Sequence, residues 1–200
     1  FPHWWERNRN KLIVSLVLGI PTAIYLIAIG LTDSLIHQMV FDYIPFIILL
    51  GALFAITGGI HVGGDIEAKP GINTLFLGIG AVLASFMGTT GAAMLLIRPV
   101  IKTNSQRKYR VHTILFFIAI VANAGGLLTP LGDPPLFLLY LRGAPFDWFF
   151  HLTPEWAFVN GILLLLFFIV DSYYYRKEPE TNIVVDKTKQ EPITIKGKIN

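Results

Sequence analysis

Asn123–Pro135 reads NAGGLLTPLGDPP, and this run interrupts a stretch that would otherwise cross a lipid bilayer. From Thr113 to Gly132 no residue is charged. Thr113 to Asn123 is enough for a half-helix of about 16 Å, which ends near the middle of a core about 30 Å thick. The chain then breaks at Gly125-Gly126, restarts after Pro134-Pro135, and carries Asp133 into the break. Backbone without helical hydrogen bonds is tolerated at that depth only where it is buried in protein or lines a polar cavity. Many transporters coordinate ions at such breaks, with free carbonyls and half-helix ends. The pattern points to a piece of a transporter.

Composition agrees. Of 200 residues, 54% are hydrophobic and 14% charged, and the charges avoid Leu12 to Leu31, Tyr43 to Ile60 and Thr74 to Ile97. The first two have the length of spanning helices. Trp156 to Tyr175 is a further span, with Asp171 as its single acid. Trp4, Trp5, Trp148, Trp156 and Tyr173 to Tyr175 fall at segment ends, where an aromatic belt would place them. The net charge of +3 fits basic loops on one side of a membrane and makes membrane lipid, not nucleic acid, the expected surroundings. With no cysteine, disulfides, thiolate metal sites and cysteine nucleophiles are excluded.

The basic residues set a topology. With the amino terminus inside, Leu12 to Leu31 leads out and Tyr43 to Ile60 leads back. If Thr74 to Ile97 is a re-entrant hairpin, 15 of the 16 Lys and Arg residues lie inside and only Arg142 lies outside. A single crossing there fits the positive-inside rule less well. The segment ending at Met87 is also short of the core thickness, and Gly88-Thr89-Thr90-Gly91 makes a tip before the apolar return. The alternative is one spanning helix that uses Gly78, Gly80, Gly88 and Gly91 for close helix packing.

Hairpin tip and break together would gather oxygens near the midplane. Gly88, Thr89, Thr90, Asn123 and Thr129 are the candidate cation-binding positions, because hydroxyl, amide and exposed carbonyl oxygens suit a hard cation. Asp133 joins them as a cation ligand and as the proton-coupling acid. Burial raises a carboxylate's pKa and a nearby cation lowers it, so sodium and a proton can compete for one group. Alternatively Asp133 only caps the helix restarting at Pro134. Thr89, Asn123 and Asp133 form the expected sodium set, with no cofactor beyond transported sodium and protons.

Asp65 and Glu67 in GGIHVGGDIEAKPG (58–71) are candidates for an acidic cation entrance or, with His61, a pH-sensing surface, and Asp65 is a second proton-coupling candidate. Solvated loop charge is the simpler reading. Asp171 is expected to be an interfacial residue near Arg176. The five histidines (His3, His37, His61, His112, His151) show no HxxxH or HExxH spacing, and no Walker A or GxSxG motif occurs. A membrane-embedded enzyme or assembly subunit built on Asp65, Glu67 and His61 is the remote alternative. It lacks a persuasive pair of base and nucleophile, so the chain is read as a non-enzyme.

SFMGTTGAAMLLIRPVI (85–101) followed by ANAGGLLTPLGDPPLFLLYL (122–141) resembles the ion transporter superfamily of NhaD-type sodium/proton antiporters, citrate and other dicarboxylate carriers, and arsenite permeases. TGGIHVGG before the hairpin and GDPP after the break look most like the NhaD-type branch. The resemblance covers about Trp4 to Arg176. It implies two inverted repeats, each with a hairpin and a broken helix, a homodimer built through scaffold helices, and elevator-like movement of the transport part. The dicarboxylate carriers' Ser-Asn-Thr tip is here Met87-Gly88-Thr89, so only Thr89 carries over. Gly132-Asp133 stands where those carriers have GT or GN, which favours a cation over a polyanion. Sodium/proton antiport is therefore the expected function, with citrate, dicarboxylate or arsenite transport as the alternative.

The expected fold is all-α: a polytopic membrane protein with a re-entrant helical hairpin and a broken transmembrane helix, one half of an inverted-repeat transporter. No second copy of the break is present, so an amino-terminal half is expected. Its parts are scaffold helices (1–73), hairpin plus broken helix (74–141), an outer loop and last transmembrane helix (142–175), and a cytoplasmic polar tail (176–200) expected to be mobile near Glu178-Pro179-Glu180. The expected location is a bacterial inner membrane.

Overall fold

Glycines, prolines and loop charges decide where the helices end. The computed structural model describes residues 2–188 and 191–197, which divide into two compact units, Phe1–Ile47 and Ile48–Asn200.

The first unit holds α1 (Pro2–Trp5), α2 (Asn8–Ala28) and α3 (Thr32–His37). A π-helical turn, Gln38–Tyr43, leads into α4 (Ile44–Gly58). Residues 32–42, between the two spans expected at Leu12 to Leu31 and Tyr43 to Ile60, are helical. No glycine or proline occurs between Leu31 and Ile44, and Asp33 sits favourably in the first turn of α3. The apolar run suited to crossing a membrane therefore extends over Thr32–Ala55.

The second unit is organised by a helical hairpin. Pro70 sits in the first turn of α5 (Pro70–Met87), where its missing N–H costs nothing. The helix stops at Gly88, whose φ of +79° suits glycine. α6 (Thr89–Thr103) then runs back. Asn73 near the start of α5 and Asn104 just after α6 donate their side-chain amides to each other at 2.9 and 3.1 Å, so the two arms share one base.

The buried face of α5, Asn73, Leu77, Gly80/Ala81 and Ala84/Ser85, repeats at helical spacing. It packs with Leu95, Leu96 and Val100 of α6 and with Phe117, Ile120 and Val121 of the next segment. Small residues permit this approach. A Cβ on Gly80 would fall 2.6 Å from Val121 Cγ2, and one on Gly125 would fall 2.7 Å from Ala81 Cα.

The broken helix consists of α7 (Val111–Ile120), a 3₁₀ turn (Ala124–Leu128), an extended Thr129 and α8 (Pro134–Leu141). A second 3₁₀ turn, Phe146–Leu152, leads to α9 (Thr153–Tyr175). Among the described residues, five segments are long and apolar enough to cross a membrane: Asn8–Ala28, Thr32–Ala55, Pro70–Met87, Val111–Leu128 and Phe146–Tyr175. The chain is a polytopic, mainly helical membrane protein.

The polar tail departs from the all-α expectation. After α10 (Glu180–Thr188), β2 (Glu191–Gly197) pairs antiparallel with β1 (Ile60–Asp65). Ile60 lies opposite Gly197 and Asp65 opposite Glu191, with an irregularity between Gly63 and Asp65 where Gly64 takes a φ of +128°. The sequence ITI within EPITIKG supplies the β-branched residues that favour a strand. The expected mobile point also differs. The buried Glu178 carboxylate accepts the backbone N–H groups of Lys108 and Tyr109 at 3.0 and 2.8 Å.

Candidate functional site

The hairpin tip and the helix break meet. The Thr89 N–H donates to the Gly132 carbonyl at 2.9 Å, and its hydroxyl donates to Asp133 Oδ1 at 3.3 Å. Gly126 and Gly132 stand where side chains would collide: a Cβ on Gly126 would lie 2.7 Å from Thr89 Cγ2. Gly88, Thr89 and Thr129 are buried, whereas Thr90 and Asn123 are exposed and Asp133 is half-buried.

Asp133 occupies the N-cap position of α8 by its backbone, but its side chain makes no capping hydrogen bond. The carboxylate turns to Thr89 instead. Capping therefore does not account for this acid.

Thr129 is a strut. Its fully buried hydroxyl donates to the Ser85 carbonyl and accepts the Leu131 N–H, which leaves one lone pair for any ligand. The Ser85 hydroxyl donates to the Gly125 carbonyl at 2.5 Å and accepts the Leu128 N–H at 3.3 Å. Two residues outside the expected set hold the same backbone. Trp156 Nε1 donates to the Gly125 carbonyl at 2.9 Å, and Asn160 Nδ2 donates to the Ala124 carbonyl at 3.1 Å. Trp156 is thus tied to the break and is not a free belt residue. The only hint in the sequence is the four-residue spacing of an indole and an amide on one helix face.

A cavity of about 190 Å³ opens beside the break, lined among others by Asn123, Leu127, Asp133, Trp156 and Val159. Among the described residues that line it, Asp133 is the one acid and none is basic. Asn123 and Asp133 line this cavity together, Thr89 reaches Asp133 from the hairpin tip, and Thr90 follows at the start of α6.

Asp65 is elsewhere. It is buried at the end of β1 and accepts Gln106 Nε2 at 3.4 Å. Gln106 follows the end of α6 and Thr89 begins it, and 15 residues of helix span about 22 Å. Glu67 pairs with Lys69 at 2.6 Å. Near them, the Asp186 carboxylate of α10 accepts the Ala68 N–H at 2.8 Å. Burial pushes the Asp186 carboxyl up from its ordinary range, and Asp65 and Glu67 push it further, against the lowering effect of the Ala68 hydrogen bond. The candidate acidic entrance is therefore the docking face of the tail. The His61 side chain lies outside the described residues.

The largest departure from expectation is Asp171. It is fully buried, not interfacial. Arg107 Nη1 lies 2.6 Å from its Oδ1, His112 Nε2 lies 2.7 Å from the same oxygen, and Asn73 Nδ2 donates to Oδ2 at 3.1 Å. Arg107, itself buried, also donates to Asn104 at 3.3 Å. His112 stacks on Tyr174 with ring centroids 4.8 Å apart. This cluster joins the base of the hairpin, the start of α7 and the end of α9, and it satisfies an acid that lipid could not.

These features, several apolar spans and a hairpin tip abutting a broken helix, are those of a polytopic membrane protein. The chain belongs to the family described as putative citrate transport, whose model matches residues 1–200. It is also similar to the inner membrane protein YbiR of Escherichia coli (strain K12), with 28% identity over 107 residues, which cover 48% of this chain and 29% of that protein. The chain thus spans under a third of that relative's length. No solved structure matches it. The family description names citrate, the alternative of the sequence reading, and does not single out the NhaD-type branch.

Proposed function

We propose that the full-length protein is a secondary carrier of citrate or a related small carboxylate, and that this chain supplies the position of the coupling cation or proton. The observation that carries this reading is the contact of Thr89 at the hairpin tip with Asp133, the acid that lines the cavity of the break. The family's description supports the carboxylate. A substrate carboxylate is repelled by an ionised Asp133, and a bound cation or proton removes that repulsion. Coupling then follows from charge: the anion binds well only when the acid is neutralised. Asp133, Thr89 and Asn123 hold the sodium ion, with Thr90 at the tip beside them.

The second reading is sodium/proton antiport with no organic substrate. The lone acid in a cavity without a basic lining residue favours it. The protein works in the lipid of a bacterial inner membrane, as a homodimer with two such hairpins and breaks per protomer.

Purified full-length protein in liposomes separates the two. Carboxylate carriage predicts uptake of radiolabelled citrate driven by an inward sodium or proton gradient. Sodium-dependent proton movement that is equally fast without citrate, with no citrate uptake, selects antiport.

A further inference from the structure

We propose that Trp156 is the specificity-determining residue of the broken-helix cavity, a fixed aromatic wall that sets the size of what reaches Asp133. The inference deepens the carrier reading above and rests on it for the identity of the cargo.

Trp156 lines the cavity together with Asn123 and Asp133. An indole at a membrane interface is free to choose among rotamers, and its N–H usually seeks a polar partner. Here the N–H is spent inward, on the Gly125 carbonyl at 2.9 Å. One helical turn on, Asn160 donates to both the Ala124 and Trp156 carbonyls. Two side chains on one face of α9 thus grip consecutive carbonyls of the break. The ring is fixed relative to Asp133 because both are fixed to the same short backbone segment.

The anchoring has a second consequence. The Gly125 carbonyl receives both the Ser85 hydroxyl and the Trp156 N–H, so both its lone pairs are used. It is removed from the oxygens a cation could use, and ligation shifts to the side chains of Asp133 and its neighbours. Trp156 therefore shapes the cavity by its bulk and chooses the ligands by its hydrogen bond.

The test reads cavity size without assuming a cargo. In the full-length protein, with any other cysteine replaced by serine, Leu127→Cys, at a lining position outside the ion-binding set, is reacted with a small ethylammonium thiosulfonate and with a bulky benzophenone thiosulfonate. With Trp156 present, the small reagent should react about tenfold faster or more, the scale on which a shaped pocket discriminates. Trp156→Ala should bring the two rates to within about twofold by accelerating the bulky reagent alone. Trp156→Phe keeps a ring without its anchor and should fall between. Unchanged size discrimination in Trp156→Ala would overturn the inference, as would an introduced thiol that neither reagent reaches. Protection of that thiol by citrate is read in the same samples. Lost protection with intact size discrimination sinks the citrate reading alone; protection with no effect of Trp156→Ala sinks this inference alone.

Discussion

At the residue scale, Asp133 and Asp171 show two ways of keeping an acid in an apolar span. Asp171 has three side-chain partners and no exposure, whereas Asp133 has one weak hydroxyl partner and a cavity. The first is spent on structure and the second is available. Asp171→Asn should therefore deprive the buried Arg107 of its nearest counter-charge, leaving it Glu178 at 4.0 Å, and cost up to about 3–5 kcal/mol, the usual penalty for breaking a buried pair. Chemical denaturation of detergent-solubilised protein measures it, and Asp171→Asn with wild-type stability would contradict the clasp. The sequence held a signal for Asp171, a single acid in a long apolar run. It did not hold the partners, which lie 59 and 98 residues away for His112 and Asn73. Asp133 was legible because glycine and proline mark the break around it.

At the scale of elements, the helical hairpin was legible from Gly88, while the distribution of Lys and Arg speaks to its re-entrance. Its common base was not, because the Asn73–Asn104 pair joins residues 31 apart through side chains with no local periodicity. With both arms meeting at that base, cysteines replacing Lys69 and Lys108 in the full-length protein should label from the same, cytoplasmic side. Labelling from opposite faces would replace the re-entrant hairpin with a crossing. The tail was read as loose because its polar composition hides a strand, and the partner strand β1 lies more than a hundred residues earlier. Its docking should respond to pH. Asp186 holds its proton more tightly when folded, above the ordinary 3.8, so docking is strongest with the carboxyl protonated. It weakens as pH rises from about 3.8 through the raised folded value, then levels off. Amide exchange in α10, corrected for intrinsic rates, should show this fall in protection, and Asp186→Asn should flatten it. Protection that grows with pH would contradict the assignment.

At the scale of the whole molecule, the apolar spans followed from composition, and the proposed transporter class from two motifs. The cargo did not, because the same hairpin and break can serve a cation alone or a cation with an anion, and the choice rests on one acid and the charge around it. The account therefore turns on Asp133. Asp133→Asn keeps the shape and removes the titratable charge. In the full-length protein it should insert and fold normally, bind citrate at least as well as wild type, and lose the dependence of uptake on sodium and on pH. The decisive measurement is citrate uptake by Asp133→Asn proteoliposomes with and without an imposed sodium or proton gradient. Gradient-independent equilibration is the predicted result, and gradient-driven accumulation at the wild-type level would contradict it.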